Sequence, residues 1–238
     1  MNERKLEAVL FGSIGTLVET SEMQRDAFNR AFAEHGLDWH WDRDAYRGML
    51  SINGGRKRLS HYARETGADL DEEGIEALHA TKTRLFDEAM ERDGVPLRPG
   101  VRSLLDETRE AGLLLGFVTG TVRDNAEAMA NAAGLDLSTF DLVTDKSSVS
   151  AEKPDPAIYT HALERLGVEP HAAVAIEDTQ SSLAAAVAAG CVSVATPGAN
   201  ALDQSFDAAD LTVASLEEVS LERLRALVGS AKPAQAAA

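Results

Sequence analysis

Residues 8–20 read AVLFGSIGTLVET. Four apolar residues, Ala8 to Phe11, stop abruptly at Gly12-Ser13-Ile14-Gly15-Thr16. That pattern predicts a buried strand feeding a tight, glycine-bearing loop, the place where open α/β sheets keep their chemistry. A catalytic loop there carries a carboxylate, an activated hydroxyl or a lysine. Here the two central positions hold Gly12 and Ile14.

Working outward, short apolar runs recur at Leu6–Phe11, Leu113–Val118, Phe140–Thr144, Ala172–Ile176, Cys191–Ala195 and Leu211–Val213. Helical patterns separate most of them, at Val101–Ala111, Val122–Ala133, Pro156–Leu166 and Ser181–Ala189. The last three are each followed by a glycine (Gly134, Gly167, Gly190), the usual stop signal just past a helix. Continuous rather than alternating apolar strands between helices predict a parallel sheet covered on both faces, an α/β fold. Between Thr20 and Gly94 the rhythm breaks. Met23, Ala27, Phe28, Ala31 and Phe32 repeat at helical spacing; so do Ile75, Leu78, Leu85, Phe86 and Met90, with one gap. The pattern predicts an all-helical insertion after the first strand, with the core resuming at Val95-Pro96-Leu97-Arg98-Pro99-Gly100. The expected domains are 1–18 with 96–230 for the core and 19–95 for the helical part. Residues 231–238, of low complexity, read as a disordered tail.

The 238 residues allow one large or two small domains. Thirty-nine acidic against 23 basic residues give a formal charge of −16. No basic footprint for nucleic acid or an anionic membrane is visible. The single cysteine, Cys191, excludes an internal disulfide and reads as a small core hydrophobe. The first residues, Met1-Asn2-Glu3-Arg4-Lys5, lack a signal-peptide pattern, so the expected location is cytoplasmic. His35, Trp39, His40 and Trp41 form no metal spacing and read as packing.

Four polar clusters sit at expected strand ends or just before a helix: Gly12 to Leu17, Val118-Thr119-Gly120-Thr121, Lys153-Pro154-Asp155-Pro156 and Ile176-Glu177-Asp178-Thr179. In an open parallel sheet such ends converge on one crevice. A hydroxyl with accessible amides, a lysine and two carboxylates there point to phosphate and a divalent cation.

With these four clusters in order, and a helical insertion in the first gap, the chain resembles the haloacid dehalogenase superfamily. Within it, the chain is similar to the helical-cap branch that includes β-phosphoglucomutase and xylulose bisphosphate phosphatase. The resemblance runs from about Leu6 to Leu227 and implies a Rossmann-like parallel-sheet core with an inserted all-helical cap. It implies phosphoester hydrolysis or transfer with Mg2+, acting on a small phosphorylated metabolite. The family's first motif supplies an aspartate nucleophile and an aspartate acid/base; the matching positions are Gly12 and Ile14, while Gly15, Thr16 and Leu17 agree. Thr119 matches the second motif's hydroxyl and Lys153 the third motif's lysine. The resemblance thus gives Thr16, Thr119, Gly120 and Lys153 as the phosphate-binding set. Glu177 and Asp178 match the acidic pair that orders magnesium. Glu19, Gly55, Arg56 and Lys57 fall where relatives contact the distal part of the substrate, and Gln24 replaces a histidine common in the first cap helix.

The loop therefore keeps the shape-determining half of its motif and lacks the reacting half. Loss of a covalent nucleophile costs on the order of 10⁴- to 10⁶-fold in turnover. Ser13 is a poor substitute: on an extended segment it points away from the face of positions 12 and 14, and none of the four clusters holds a histidine base. Without a carboxylate at position 12, Glu177 and Asp178 remain as a weak, vestigial metal site. Lys153 has two readings, anion ligand or ion-pair partner of Glu177 or Asp178. The expected function is a degenerate phosphatase- or phosphomutase-like member that binds a small phosphorylated metabolite, as a monomer or homodimer. The alternative is an active sugar-phosphate hydrolase in which Glu177 or Asp178 acts as base for direct attack by water.

Overall fold

The structure is a computed structural model that describes residues 4–12, 14–50, 52 and 54–230. The chain opens with β1 (Ala8–Phe11) and a single helical turn, α1 (Ile14–Leu17). Four helices follow, α2 (Ser21–Glu34), α3 (Arg43–Met49), α4 (Gly55–Thr66) and α5 (Glu72–Asp93). Strand–helix alternation then sets in with α6 (Val101–Glu110), β2 (Leu114–Phe117), α7 (Arg123–Ala132), β3 (Leu142–Val143) and α8 (Ala157–Leu166). It closes with β4 (Ala173–Glu177), α9 (Gln180–Ala188), β5 (Val192–Ala195), β6 (Leu211–Thr212) and α10 (Leu221–Ser230). Each strand falls on one of the apolar runs visible in the sequence. The residues 231–238, expected as a tail, lie outside the described residues.

All six strands pair in parallel, in the order β3-β2-β1-β4-β5-β6. Every residue of β1, β4 and β5 is buried, as expected for central strands with helices on both faces. From β1 the chain moves one way to β2 and β3, then returns to lay β4 on the other side. The order therefore reverses between β1 and β4, and a crevice opens beyond their carboxyl ends. Cys191 is buried among apolar neighbours, and burial pushes its thiol up to about 12.

The chain divides into two compact units, Met1–Glu19 with Val95–Ala238, and Thr20–Gly94. Val18 and Leu97, at the two ends of the interruption, meet in an antiparallel bridge. Among its described residues the Thr20–Gly94 unit contains no strand. Its centre is Trp41, fully buried, with the rings of Phe28, Phe32 and Tyr62 at 4.8, 5.0 and 5.4 Å. Asn29 ties Trp41 in place, its amide donating to the Trp41 carbonyl (2.9 Å) and its oxygen accepting from the Trp41 N–H (2.8 Å). Asp42 and Asp71 cap α3 and α5 by accepting from Ala45 and Gly74. The gap in the apolar stripe of α5 is Lys82, which is buried with the stripe and lies over the rings of Phe28 and Phe86.

Candidate functional site

Gly12 follows β1 directly, its N–H donating to Ile176 of β4 at 2.9 Å. Val118, Thr119 and Gly120 follow β2, and Glu177 and Asp178 close β4. Lys153 comes from the loop before α8 and joins these ends. Its ammonium donates to the carbonyls of Gly12 (2.6 Å) and Val118 (3.1 Å) and to Glu177 Oε1 (2.6 Å). All four clusters therefore meet at Lys153. Thr119 is almost fully buried; its hydroxyl accepts from the Thr121 N–H and its carbonyl from the Thr144 hydroxyl, which fixes the turn and leaves Gly120 exposed.

Glu177 is fully buried. Oε1 accepts from Lys153 and from the Tyr159 hydroxyl, each at 2.6 Å, while Oε2 has no partner. Burial raises the Glu177 carboxyl above the usual glutamate value, with Lys153 opposing; the same burial, together with Glu177, raises Tyr159 well above the ordinary phenol value. This trio lies against Gly12. A β-carbon on residue 12 would overlap the Glu177 carboxyl group and the Tyr159 hydroxyl. The glycine is thus a close approach of backbone to two polar side chains.

Asp178 fills the corresponding space beside Gly15, where a β-carbon would overlap its carboxylate. Beneath it lies Arg98, whose guanidinium donates to the carbonyls of Gly15 (3.0 Å), Thr196 (2.8 Å) and Pro197 (2.9 Å) and to the Thr196 hydroxyl (3.0 Å). Burial lowers the Arg98 guanidinium's affinity for its proton; the charges of Asp178 and Glu19 oppose that. Glu19 accepts from the Ala199 N–H at 3.0 Å and so helps hold the loop after β5. Thr16 is fully buried, with its hydroxyl 3.4 Å from the Ile176 carbonyl, a bond that braces the turn. Sequence reasoning passed over Arg98 and Tyr159. Arg98 stands in a segment legible only as the rejoining point, and Tyr159 looks like any aromatic on a helical stripe.

Position 14 requires a correction. The strand does not continue through the loop; the helical turn α1 begins at Ile14. Positions 12 and 14 therefore do not share one face of an extended segment. The Ile14 side chain lines a small apolar pocket with Leu17, Phe117, Ala126, Met129 and Leu135. The reading of Ser13 falls outside the described residues.

Gly55, Arg56 and Lys57 open α4 in the Thr20–Gly94 unit. Gly55 lies against the His79 imidazole, which leaves no room for a side chain. Arg56 pairs with Glu76, and Lys57 is exposed. Both line an open groove of about 490 Å³, with His61, Arg64, Glu72 and Glu76 among its other walls. Arg58 turns inward to the carbonyls of Met49 (3.2 Å) and Ile52 (2.9 Å). Gln24 accepts from the buried Lys82.

A parallel sheet of this order, with a lysine, a threonine turn and an acidic pair at its strand ends, defines a class of phosphoryl-handling α/β proteins. A family profile described as haloacid dehalogenase-like hydrolase matches residues 6–190, and the chain belongs to that family. It is 41% identical over 218 residues to the plasmid-encoded protein CbbY of Cupriavidus necator, covering 89% of this chain and 86% of that one. A crystal structure of a CbbY variant from Rhodobacter sphaeroides with xylulose-(1,5)bisphosphate superposes with a TM-score of 0.77 at 37% identity, covering 92% of this chain and 99% of that one. A β-phosphoglucomutase-like structure from Thermotoga maritima gives 0.74 at 27% identity, covering 90% and 96%. The chain is therefore a phosphatase-like member of the family.

The family generally works with Mg2+, and the donor set here does not fit that ion. Magnesium takes octahedral oxygen coordination at short range and relies on carboxylates. Gly12 offers no side-chain oxygen, and the Ile14 side chain sits in an apolar pocket. Glu177 is turned to Lys153 and Tyr159. Asp178 is buried, with its carboxylate packed beside Gly15.

Proposed function

We propose that this protein is a member of the phosphatase branch without aspartyl-phosphate chemistry, and that it binds a small phosphorylated sugar instead of hydrolysing it. The observation that carries this reading is the packing at Gly12: the residue has no nucleophilic side chain, and Glu177 and Tyr159 fill the space one would need. With a half-buried isoleucine at position 14, lining a pocket with Phe117 and Met129, no acid/base stands at the second position either. Thr119, Gly120 and Lys153 serve the phosphoryl group. The xylulose bisphosphate held by the similar CbbY makes sugar bisphosphates the class to try first. The net charge of −16 and the lone buried cysteine accord with a cytoplasmic, small-molecule role, as a monomer or homodimer.

The test is phosphate release from xylulose bisphosphate and p-nitrophenyl phosphate with and without Mg2+, acid-quench trapping of a phosphoenzyme, and calorimetric binding of the bisphosphate. Binding without release or trapping is expected. Release well above background that Asp178→Asn abolishes would replace this reading with direct water attack.

A further inference from the structure

The contact between Lys153 and Glu177 has a consequence for what the crevice admits. Lys153 has three ammonium protons and three acceptors: the Gly12 carbonyl, the Val118 carbonyl and Glu177 Oε1. The two carbonyls belong to the strand ends and stay with the sheet. An incoming anion can take only the proton now held by Glu177. We propose that Glu177 is a built-in counter-anion that occupies the anion-binding position of Lys153, so that a phosphate or phosphate monoester reaches this lysine by displacing the Glu177 carboxylate. The proposal rests on the reading of the crevice as a phosphate-binding site and adds how that site is gated.

Three observations converge on it. Glu177 is fully buried, yet Oε2 has no hydrogen-bond partner, so the carboxylate is held inward by one oxygen alone. A buried acceptor without a donor is costly, and turning outward relieves that cost while giving up two bonds. Tyr159, from α8, donates the second bond to the same oxygen and acts as the latch that positions the carboxylate. Gly12 supplies the space, since any β-carbon there would drive Glu177 and Tyr159 away. The missing nucleophile and the inward glutamate are therefore one feature: the carboxylate that neutralises Lys153 now comes from β4 rather than from the loop after β1.

Beside Lys153, Val118 leads straight into the Thr119–Thr121 turn, where Gly120 is exposed. A tetrahedral anion released onto Lys153 meets this turn. The ligand class is a phosphate dianion or the phosphate end of a small metabolite.

The experiment is a calorimetric titration of inorganic phosphate into the full-length protein in magnesium-free buffer, for the parent chain, Glu177→Gln, Tyr159→Phe and Lys153→Met. Glu177→Gln keeps the shape and an acceptor oxygen but removes the counter-charge. It should bind phosphate about tenfold or more tightly than the parent, within the range of ordinary coupling energies. Tyr159→Phe should give a smaller gain, and Lys153→Met should abolish binding. Equal affinity in Glu177→Gln and the parent, or parent-like binding in Lys153→Met, overturns the proposal. If Glu177→Gln does not fold, Tyr159→Phe decides, and an affinity no higher than the parent's overturns it. Turnover of phosphate esters by the parent would defeat the non-hydrolytic reading and leave this ranking of affinities to stand or fall by itself.

Discussion

The hydroxyl of Tyr159 reaches from α8 to the carboxylate of Glu177 at the end of β4, 2.6 Å away, and together they fill the space beside Gly12. The loop after β1 and the fourth strand have thus been rebuilt around each other. A change at one position is felt at the other two.

Gly12→Asp should therefore destabilise the protein, by about 1–3 kcal/mol as overpacking in a filled site does. Sequence alone makes the double change Gly12→Asp with Ile14→Asp look like a restoration of activity. The packing now predicts that this double variant stays inactive until Glu177 also moves. Thermal unfolding together with a phosphate-release assay checks both parts. A double variant with a parent-like melting temperature and magnesium-dependent turnover would refute the prediction.

Ile14→Asp alone places a carboxylate against Phe117, Met129 and Leu135. A loss of about 1–3 kcal/mol is expected, the ordinary cost of an unpaired polar group in an apolar pocket. Ile14→Val should cost only about 0.5–1.5 kcal/mol. Urea denaturation of the two variants measures the difference. Similar midpoints for both would show that the side chain does not pack as described.

Lys153→Met should cost more stability than Glu177→Gln. Removing the lysine strands a fully buried carboxylate that already lacks a partner on Oε2, at a cost of about 3–5 kcal/mol. Removing the negative charge instead leaves Lys153 with two carbonyl acceptors and some access to water. Urea midpoints in the reverse order would contradict the burial of Glu177.

The helical unit carries a pH signature. Burial, aided by the nearby charge of Arg58, lowers Lys82 to about 8 from 10.5. The unfolded chain then binds more protons than the native one between those values, so this residue's cost to stability is full below about pH 8 and is relieved as the pH rises towards 10.5. Relative to Lys82→Met, the parent should gain on the order of 3 kcal/mol between pH 7 and 10.5. Paired denaturation curves across that range give the difference directly. A parallel pH dependence in the two proteins would show that Lys82 is not desolvated.

Most of the fold was legible because the strands are buried on both faces and read as unbroken apolar runs, while glycines such as Gly134, Gly167 and Gly190 stop the helices between them. The gap in the stripe of α5 was visible too, but a pattern of apolar positions does not say that Lys82 fills it from within the core. The candidate site was legible in its parts and not in its wiring. Whether Lys153 faces a ligand or Glu177 depends on a contact spanning 24 residues of sequence, and Tyr159 joins it from a helix whose periodicity gives no hint. Ile14 was misread because strand alternation was carried one residue too far, into a turn that had already become helical.

The bridge between Val18 and Leu97 bears on how such a chain came to be assembled. Both ends of the interruption are pinned side by side by the core itself, so the core closes the gap whatever lies between them. A segment inserted there adds little loop-closure entropy beyond what the bridge already fixes, since that cost grows only slowly with length. The junction behaves as a socket. The helical unit from Thr20 to Gly94 can be shortened, lengthened or exchanged as a cassette while the sheet keeps its order.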